Sequence, residues 1–144
     1  MNEVASLPAE ALRVLVVDDE APARTRLRDL LGDVADRQPN AIVGMAANGV
    51  EALRLLEDAA AVDVVLADIR MPVMDGVELA RHLARLPAPP ALVFVTAYDQ
   101  YAVQAFELAA VDYLLKPVRA QRLADALERV RVRRVPPAAE ALAA

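Results

Sequence analysis

Three aspartates, a threonine and a lysine stand where apolar runs of this chain end. LRVLVV (12–17) leads into Asp18, Asp19 and Glu20, VDVVLA (62–67) into Asp68, and VDYLL (111–115) into Lys116 and Pro117, while ALVFVT (91–96) closes on Thr96. If these runs are parallel strands of one sheet, the side chains at their carboxyl ends share a rim, and that rim is where open α/β sheets bind ligands. Carboxylates crowded there repel one another and raise their pKa values unless a cation neutralises them. All the candidate ligands are oxygens, so the site suits a hard divalent ion; Mg2+ typically takes one or two carboxylates together with waters and phosphate oxygens. This set points to phosphoryl chemistry, since an aspartate can attack phosphorus and form an aspartyl phosphate. Lys116 would balance charge on the phosphoryl oxygens and Thr96 would donate a hydrogen bond. Taken singly, a strand-end aspartate is a turn or capping acid, Thr96 a strand residue and Lys116 a surface cation. Their convergence on one rim is what favours chemistry.

The elements that must position these residues are legible in the pattern. The four runs, with a weaker one at AIVGMA (41–46), are short and mostly continuous, as expected of strands buried on both faces of a parallel sheet. Between them lie stripes of helical period: Ala23, Leu27, Leu30, Leu31 and Val34; Ala102, Ala105, Phe106 and Ala109; Ala120, Leu123, Leu127 and Val130. Asn48 with Glu51, and Asp75 with Glu78, have the spacing of capping boxes that open two further helices. Five strand–helix units in alternation predict a doubly wound α/β sandwich with right-handed crossovers. Pro39-Asn40, Asn48-Gly49, Asp75-Gly76 and LPAPPA (86–91) fall between the periodic segments, where turn chemistry belongs.

Composition narrows the function classes. The 144 residues are 57% hydrophobic, enough for one domain with a real core. Sixteen basic against twenty-one acidic side chains give a net charge of −5, which disfavours direct nucleic-acid binding by the chain as a whole. No cysteine is present, which removes disulfides, thiolate metal sites and thiol catalysis, and the one histidine, His82, reads as a surface residue of a helix. No apolar run approaches the roughly 18 residues of a membrane span, and the acids in MNEVASLPAEALR do not suit a signal peptide, so a cytoplasmic location without membrane partners is expected. Residues 1–11 read as a tail and 132–144 as a linker or truncated tail. Arg129, Arg131, Arg133 and Arg134 sit where cations favour the negative end of a last helix.

VLVVDDE, VLADIRMPVMDG, VFVTAY and DYLLKP, in this order, resemble the receiver domain of two-component response regulators. The resemblance runs from about Leu12 to Arg131 and implies a flavodoxin-like (βα)5 fold with sheet order 2-1-3-4-5. It implies Asp68 as phosphoacceptor, Asp19 as direct Mg2+ ligand with Asp18 acting through water, and the backbone carbonyl of Arg70 as a further ligand. Lys116 matches the family lysine, with a cis peptide bond expected at Pro117. Thr96 and Tyr113 match the switch pair, in which the hydroxyl moves toward the phosphoryl group and the ring turns inward. Arg70 and Tyr98 match positions that tune how long the phosphoryl group survives. A sensor histidine kinase is the implied donor, and the implied output face is that of residues 98–133, where a homodimer could form. Tyr101 and Leu108, off the helical stripe, are expected either on a partner patch there or partly buried against neighbouring elements. TAYDQYAVQAFELAAVDYLLKPV further resembles receivers joined to LytTR-type DNA-binding domains. DNA would then be bound only through an effector domain absent from this chain.

Other classes fit less well. Haloacid-dehalogenase-type phosphatases place an Asp-x-Asp after the first strand, whereas here Asp18 and Asp19 are adjacent and the distinctive acid follows the third apolar run. A flavin or nucleotide module is disfavoured by the lack of G-x-G-x-x-G or P-loop sequences among only four glycines. A stand-alone receiver that signals by protein contact stays open.

Overall fold

The computed structural model describes residues 10–58 and 61–133, so the expected tails, including Arg134, lie largely outside the described residues. Strands β1 (Leu12–Val17), β2 (Asn40–Ala46), β3 (Val64–Ala67), β4 (Ala91–Thr96) and β5 (Asp112–Leu115) alternate with helices α1 (Ala21–Asp33), α2 (Gly49–Asp58), α3 (Gly76–Ala84), α4 (Ala102–Glu107) and α5 (Ala120–Arg133). All four strand pairings are parallel and the sheet order is β2-β1-β3-β4-β5, as expected. The order reverses between β1 and β3, which opens a crevice at their carboxyl ends.

Period-2 alternation divides the core. Val14, Val16, Val64, Leu66, Val93 and Val95 face one side, where Leu27, Leu30 and Leu31 of α1 and Leu123, Leu127 and Val130 of α5 cover them. Leu15, Val17, Val65, Ala67, Leu92 and Phe94 face the other, against Ala52, Leu79, Ala80 and Leu83. Every residue of β3 is buried, which explains its unbroken apolar run, while β2 at the sheet edge is half-exposed and its sequence correspondingly mixed. The register shift between Val14 and Leu15 leaves Val43 of β2 out of the pairing.

Caps fix where helices start. Asp75 and Glu78 form the expected reciprocal box, Asp75 Oδ1 accepting from Glu78 N–H at 2.8 Å. Asn48 Oδ1 accepts from Glu51 N–H at 2.9 Å, but the Glu51 carboxylate reaches Ala47 N–H, one residue earlier than a strict box requires.

The stripe expected in α4 is corrected by the structure. Ala105 is buried, yet Phe106 is 85% exposed, and Ala102 and Ala109 are also exposed. Tyr101 and Leu108 instead pack on the core, so the buried face runs Tyr101, Ala105, Leu108. Two features rotate it: the helix has only six residues, ending as the chain enters the left-handed region at Ala109 (φ 61°), and Tyr101 is tethered to Arg70. For Tyr101 and Leu108 the packing thus matches the expectation of partial burial against neighbouring elements; the exposed large apolar side chains among residues 98–133 are Val103, Phe106, Leu115 and Val132.

Candidate functional site

The pocket forms where β1, β3 and β5 deliver their last residues to the crevice. Asp18 is 1% exposed and Asp68 7%, while Asp19 is exposed, and carboxylate oxygens of the three lie within 4.8 Å of one another. Lys116, carried just past β5, donates from Nζ to Asp18 Oδ2 at 2.7 Å and to Asp68 Oδ2 at 2.9 Å. Partial burial, the largest influence on Lys116, works to lower its pKa; hydrogen bonds to Asp18 and Asp68 and their charges outweigh that and hold it above the ordinary lysine value. One ammonium thus faces three carboxylates, so the cluster carries an uncompensated negative charge. An all-oxygen donor set with excess charge and one exposed member fits a hard divalent cation.

Backbone donors fix the acids. Asp68 Oδ1 accepts from Ile69 N–H at 2.6 Å, and Asp18 Oδ1 from Glu20 N–H at 3.0 Å. Arg24 of α1 holds the Asp18 carbonyl at 2.7 Å through Nη1. Lys116-Pro117 is cis, as expected. The other expected residues lie around the cluster without bonding to it. Thr96 is fully buried and its Oγ1 accepts from Tyr98 N–H at 3.4 Å, and the Tyr113 hydroxyl donates to the Tyr98 carbonyl. The Tyr113 ring meets Phe94 edge-on at 6.3 Å. The Arg70 side chain is exposed, its guanidinium carbon 4.2 Å from the centre of the Tyr98 ring, and its Nε donates to the Tyr101 hydroxyl at 3.1 Å.

Two residues of this region escaped the sequence reading. Gly76 N–H donates to the Ile69 carbonyl at 2.7 Å, and a Cβ on Gly76 would stand 2.3 Å from the Asp68 carbonyl oxygen and 2.9 Å from Ile69 Cα. The Asp-Gly pair is therefore more than a helix start: Gly76 lets the chain fold back onto the Asp68 backbone. Its signal was the glycine itself, inside a motif already carrying an acid. Val73, 78% exposed, holds φ 71°, a conformation costly for a β-branched residue and one that no periodicity reveals. Tyr101 also belongs to the rim, through Arg70.

Arg122, Arg129 and Arg131 tie α5 to its neighbours. Asp112 binds both Arg122 terminal nitrogens, at 2.8 and 2.7 Å, and Arg129 at 2.7 Å. Arg131 reaches Gln38 Oε1 and the Pro39 carbonyl, so these cations do more than face a helix dipole. His82 is exposed on α3, as expected.

Fold and site together define a flavodoxin-like protein with an acidic, lysine-bearing pocket at its topological switch point. Residues 14–128 match the response regulator receiver domain, and the chain belongs to that family. It is 47% identical over 118 residues to the positive alginate biosynthesis regulatory protein of Pseudomonas aeruginosa, an alignment covering 82% of this chain and 46% of that protein. It is 43% identical to the sensory transduction protein LytT of Bacillus cereus, again over 82% of this chain and 46% of the relative. The chain thus spans about half the length of these curated relatives. Among solved structures it resembles the response regulator TrrA from Thermotoga maritima in complex with Mg(2+)-BeF, at 29% identity and TM-score 0.72, covering 83% of this chain and 98% of the other. Among the described residues no helix is long and apolar enough to cross a membrane.

Proposed function

We propose that Asp68 accepts a phosphoryl group from a sensor histidine kinase and that this change at the rim switches the α4–β5–α5 face. The observation that carries the reading is the buried Asp68 carboxylate facing Lys116 and two further aspartates within 4.8 Å. In the transfer, an Asp68 carboxylate oxygen forms a bond to phosphorus as the phosphorus–nitrogen bond of the donor imidazole breaks, and the freed nitrogen keeps the electron pair. Asp19 directly, Asp18 through water, Asp68 and the Arg70 carbonyl would hold Mg2+, which when bound supplies charge neutralisation for the phosphoryl oxygens. Lys116 exchanges its bonds to Asp18 and Asp68 for one to a phosphoryl oxygen, and Thr96 releases Tyr98 N–H to donate to another.

That movement carries the signal outward, because Tyr98 also accepts from Tyr113. Phosphorylation adds charge and acceptor oxygens, which bias a two-state arrangement of α4 and β5. The output is control of transcription through a LytTR-type DNA-binding domain, a reading supported by regulatory relatives about twice the length of this chain. The switched face, with exposed Val103, Phe106 and Leu115, would pair two copies. The domain acts in the cytoplasm, releases its phosphoryl group once per cycle and ignores exogenous phosphomonoesters. Tyr98 shields the acyl phosphate from water, so Tyr98→Ala shortens its lifetime; equal lifetimes would sink the shielding role.

The test is incubation with a small-molecule phosphodonor and Mg2+, followed by intact mass. One added phosphoryl group is expected in the wild type and none in Asp68→Asn. Wild-type labelling of Asp68→Asn overturns the assignment.

A further inference from the structure

The Arg70 side chain and Tyr101 have no place in the phosphoryl transfer just described, yet they are joined to it. The Arg70 guanidinium lies over the Tyr98 ring at 4.2 Å and 5.9 Å from the Tyr101 ring, with its Nε–H on the Tyr101 hydroxyl. The two rings meet edge-on, 6.5 Å apart and 88° inclined. Tyr98 is thereby held at three points: its ring by Arg70, its N–H by Thr96 Oγ1 and its carbonyl by the Tyr113 hydroxyl. Tyr101 immediately precedes α4 and packs on the core beside Leu108. Arg70 and Tyr98 also line the same cavity, of about 640 Å3, as Asp68, Asp19 and Lys116. One cation therefore stands between the phosphoacceptor's cavity and the start of the output helix.

We propose that Arg70 is a second sensor of phosphorylation, parked on Tyr98 and Tyr101 in the unphosphorylated protein and drawn to the phosphoryl group when Asp68 carries one. This rests on the assignment of Asp68 as phosphoacceptor. The direction of the switch follows from relative strength. A cation–π contact at an exposed site is weak, whereas charge-assisted, bidentate hydrogen bonds from a guanidinium to phosphoryl oxygens are among the stronger polar contacts. Phosphorylation thus takes Arg70 off the tyrosines and frees the segment 98–108, in parallel with the pull of Thr96 on Tyr98. Tyr101 is a positioning residue: its hydroxyl fixes where the guanidinium rests.

Amide hydrogen exchange of the full chain, with and without a small-molecule phosphodonor and Mg2+, tests this in the wild type, Arg70→Gln, Tyr101→Phe and the double variant. Intact mass is read in the same samples. In the wild type, phosphorylation speeds exchange across 98–108. In Arg70→Gln the segment already exchanges roughly two- to fivefold faster before the donor is added, the worth of an exposed cation–π clamp, and phosphorylation adds only the smaller change owed to Thr96. Tyr101→Phe lies between, and in the double variant its effect disappears; Arg70→Lys, which keeps the charge, restores part of the wild-type response. A protein that gains its phosphoryl group but shows the same change in Arg70→Gln as in the wild type overturns the sensor, as does an undiminished Tyr101→Phe effect without Arg70. No phosphoryl group on the wild type overturns the Asp68 assignment and the sensor with it.

Discussion

At the carboxyl end of the sheet three carboxylates face one ammonium; at the amino end of β5, Asp112 faces two guanidiniums. Both places use the same ingredients, an aspartate taken mostly out of water and long cationic side chains from a neighbouring element. They differ in balance. At Asp112 the carboxylate is fully answered: burial, the largest influence, opposes ionisation, but Arg122, Tyr113 N–H and Arg129 together hold its pKa below the ordinary carboxylate value. At the rim the carboxylates outnumber their partner, and the chain is bent back on itself at Gly76 and held at positive φ at Val73. A satisfied ion network ties α5 to the sheet, whereas an unsatisfied one is a place for a ligand.

Substitutions break this contrast in a graded order. Gly76→Ala forces a Cβ against the Asp68 carbonyl and has the largest effect, a loss of about 3 kcal/mol by denaturant titration together with slowed phosphorylation, because backbone cannot move aside as a side chain can. Asp112→Asn costs about 1–2 kcal/mol at neutral pH, a figure kept low because the Arg122 and Arg129 side chains are 41% and 58% exposed. Its pH dependence has a definite sign. A lowered folded-state pKa makes this contribution complete above the unfolded value of about 3.9 and removes it as pH falls through the folded value, so the gap to wild type narrows in acid.

Asp68→Asn acts in the opposite direction. Without divalent cations it relieves repulsion among the carboxylates and stabilises the fold by about 1 kcal/mol, and added Mg2+ narrows that gain. A destabilised Asp68→Asn protein in chelator would mean that Lys116 already balances the cluster. Smallest is Val73→Asn: asparagine tolerates the left-handed region, and a gain of about 0.5 kcal/mol is expected in thermal unfolding.

The balanced and unbalanced regions were not equally legible in the sequence. The strands and the converging Asp18, Asp19, Asp68, Thr96 and Lys116 follow from apolar runs that stop abruptly at polar residues, a signal carried by local sequence, whereas the sheet order follows only from the family resemblance. Asp112 and its arginines depend on 10 and 17 residues of separation across an element boundary, which no period encodes. The face of α4 departs from its sequence stripe because six residues are under two turns, too few for a stripe to fix orientation, and because Tyr101 is oriented by Arg70, 31 positions away. In the sequence Gly76 shows only turn chemistry, because its other role, close approach to Asp68, exists only once β3 and α3 are side by side.

Which acid becomes covalently modified decides whether Asp68 is the phosphoacceptor. Phosphorylate the chain with a small-molecule donor and Mg2+, reduce the acyl phosphate with borohydride so that the modified aspartate becomes homoserine, and locate it by peptide mass spectrometry. Homoserine at position 68 alone is the predicted result; homoserine at position 18 or 19, or at no position, contradicts it.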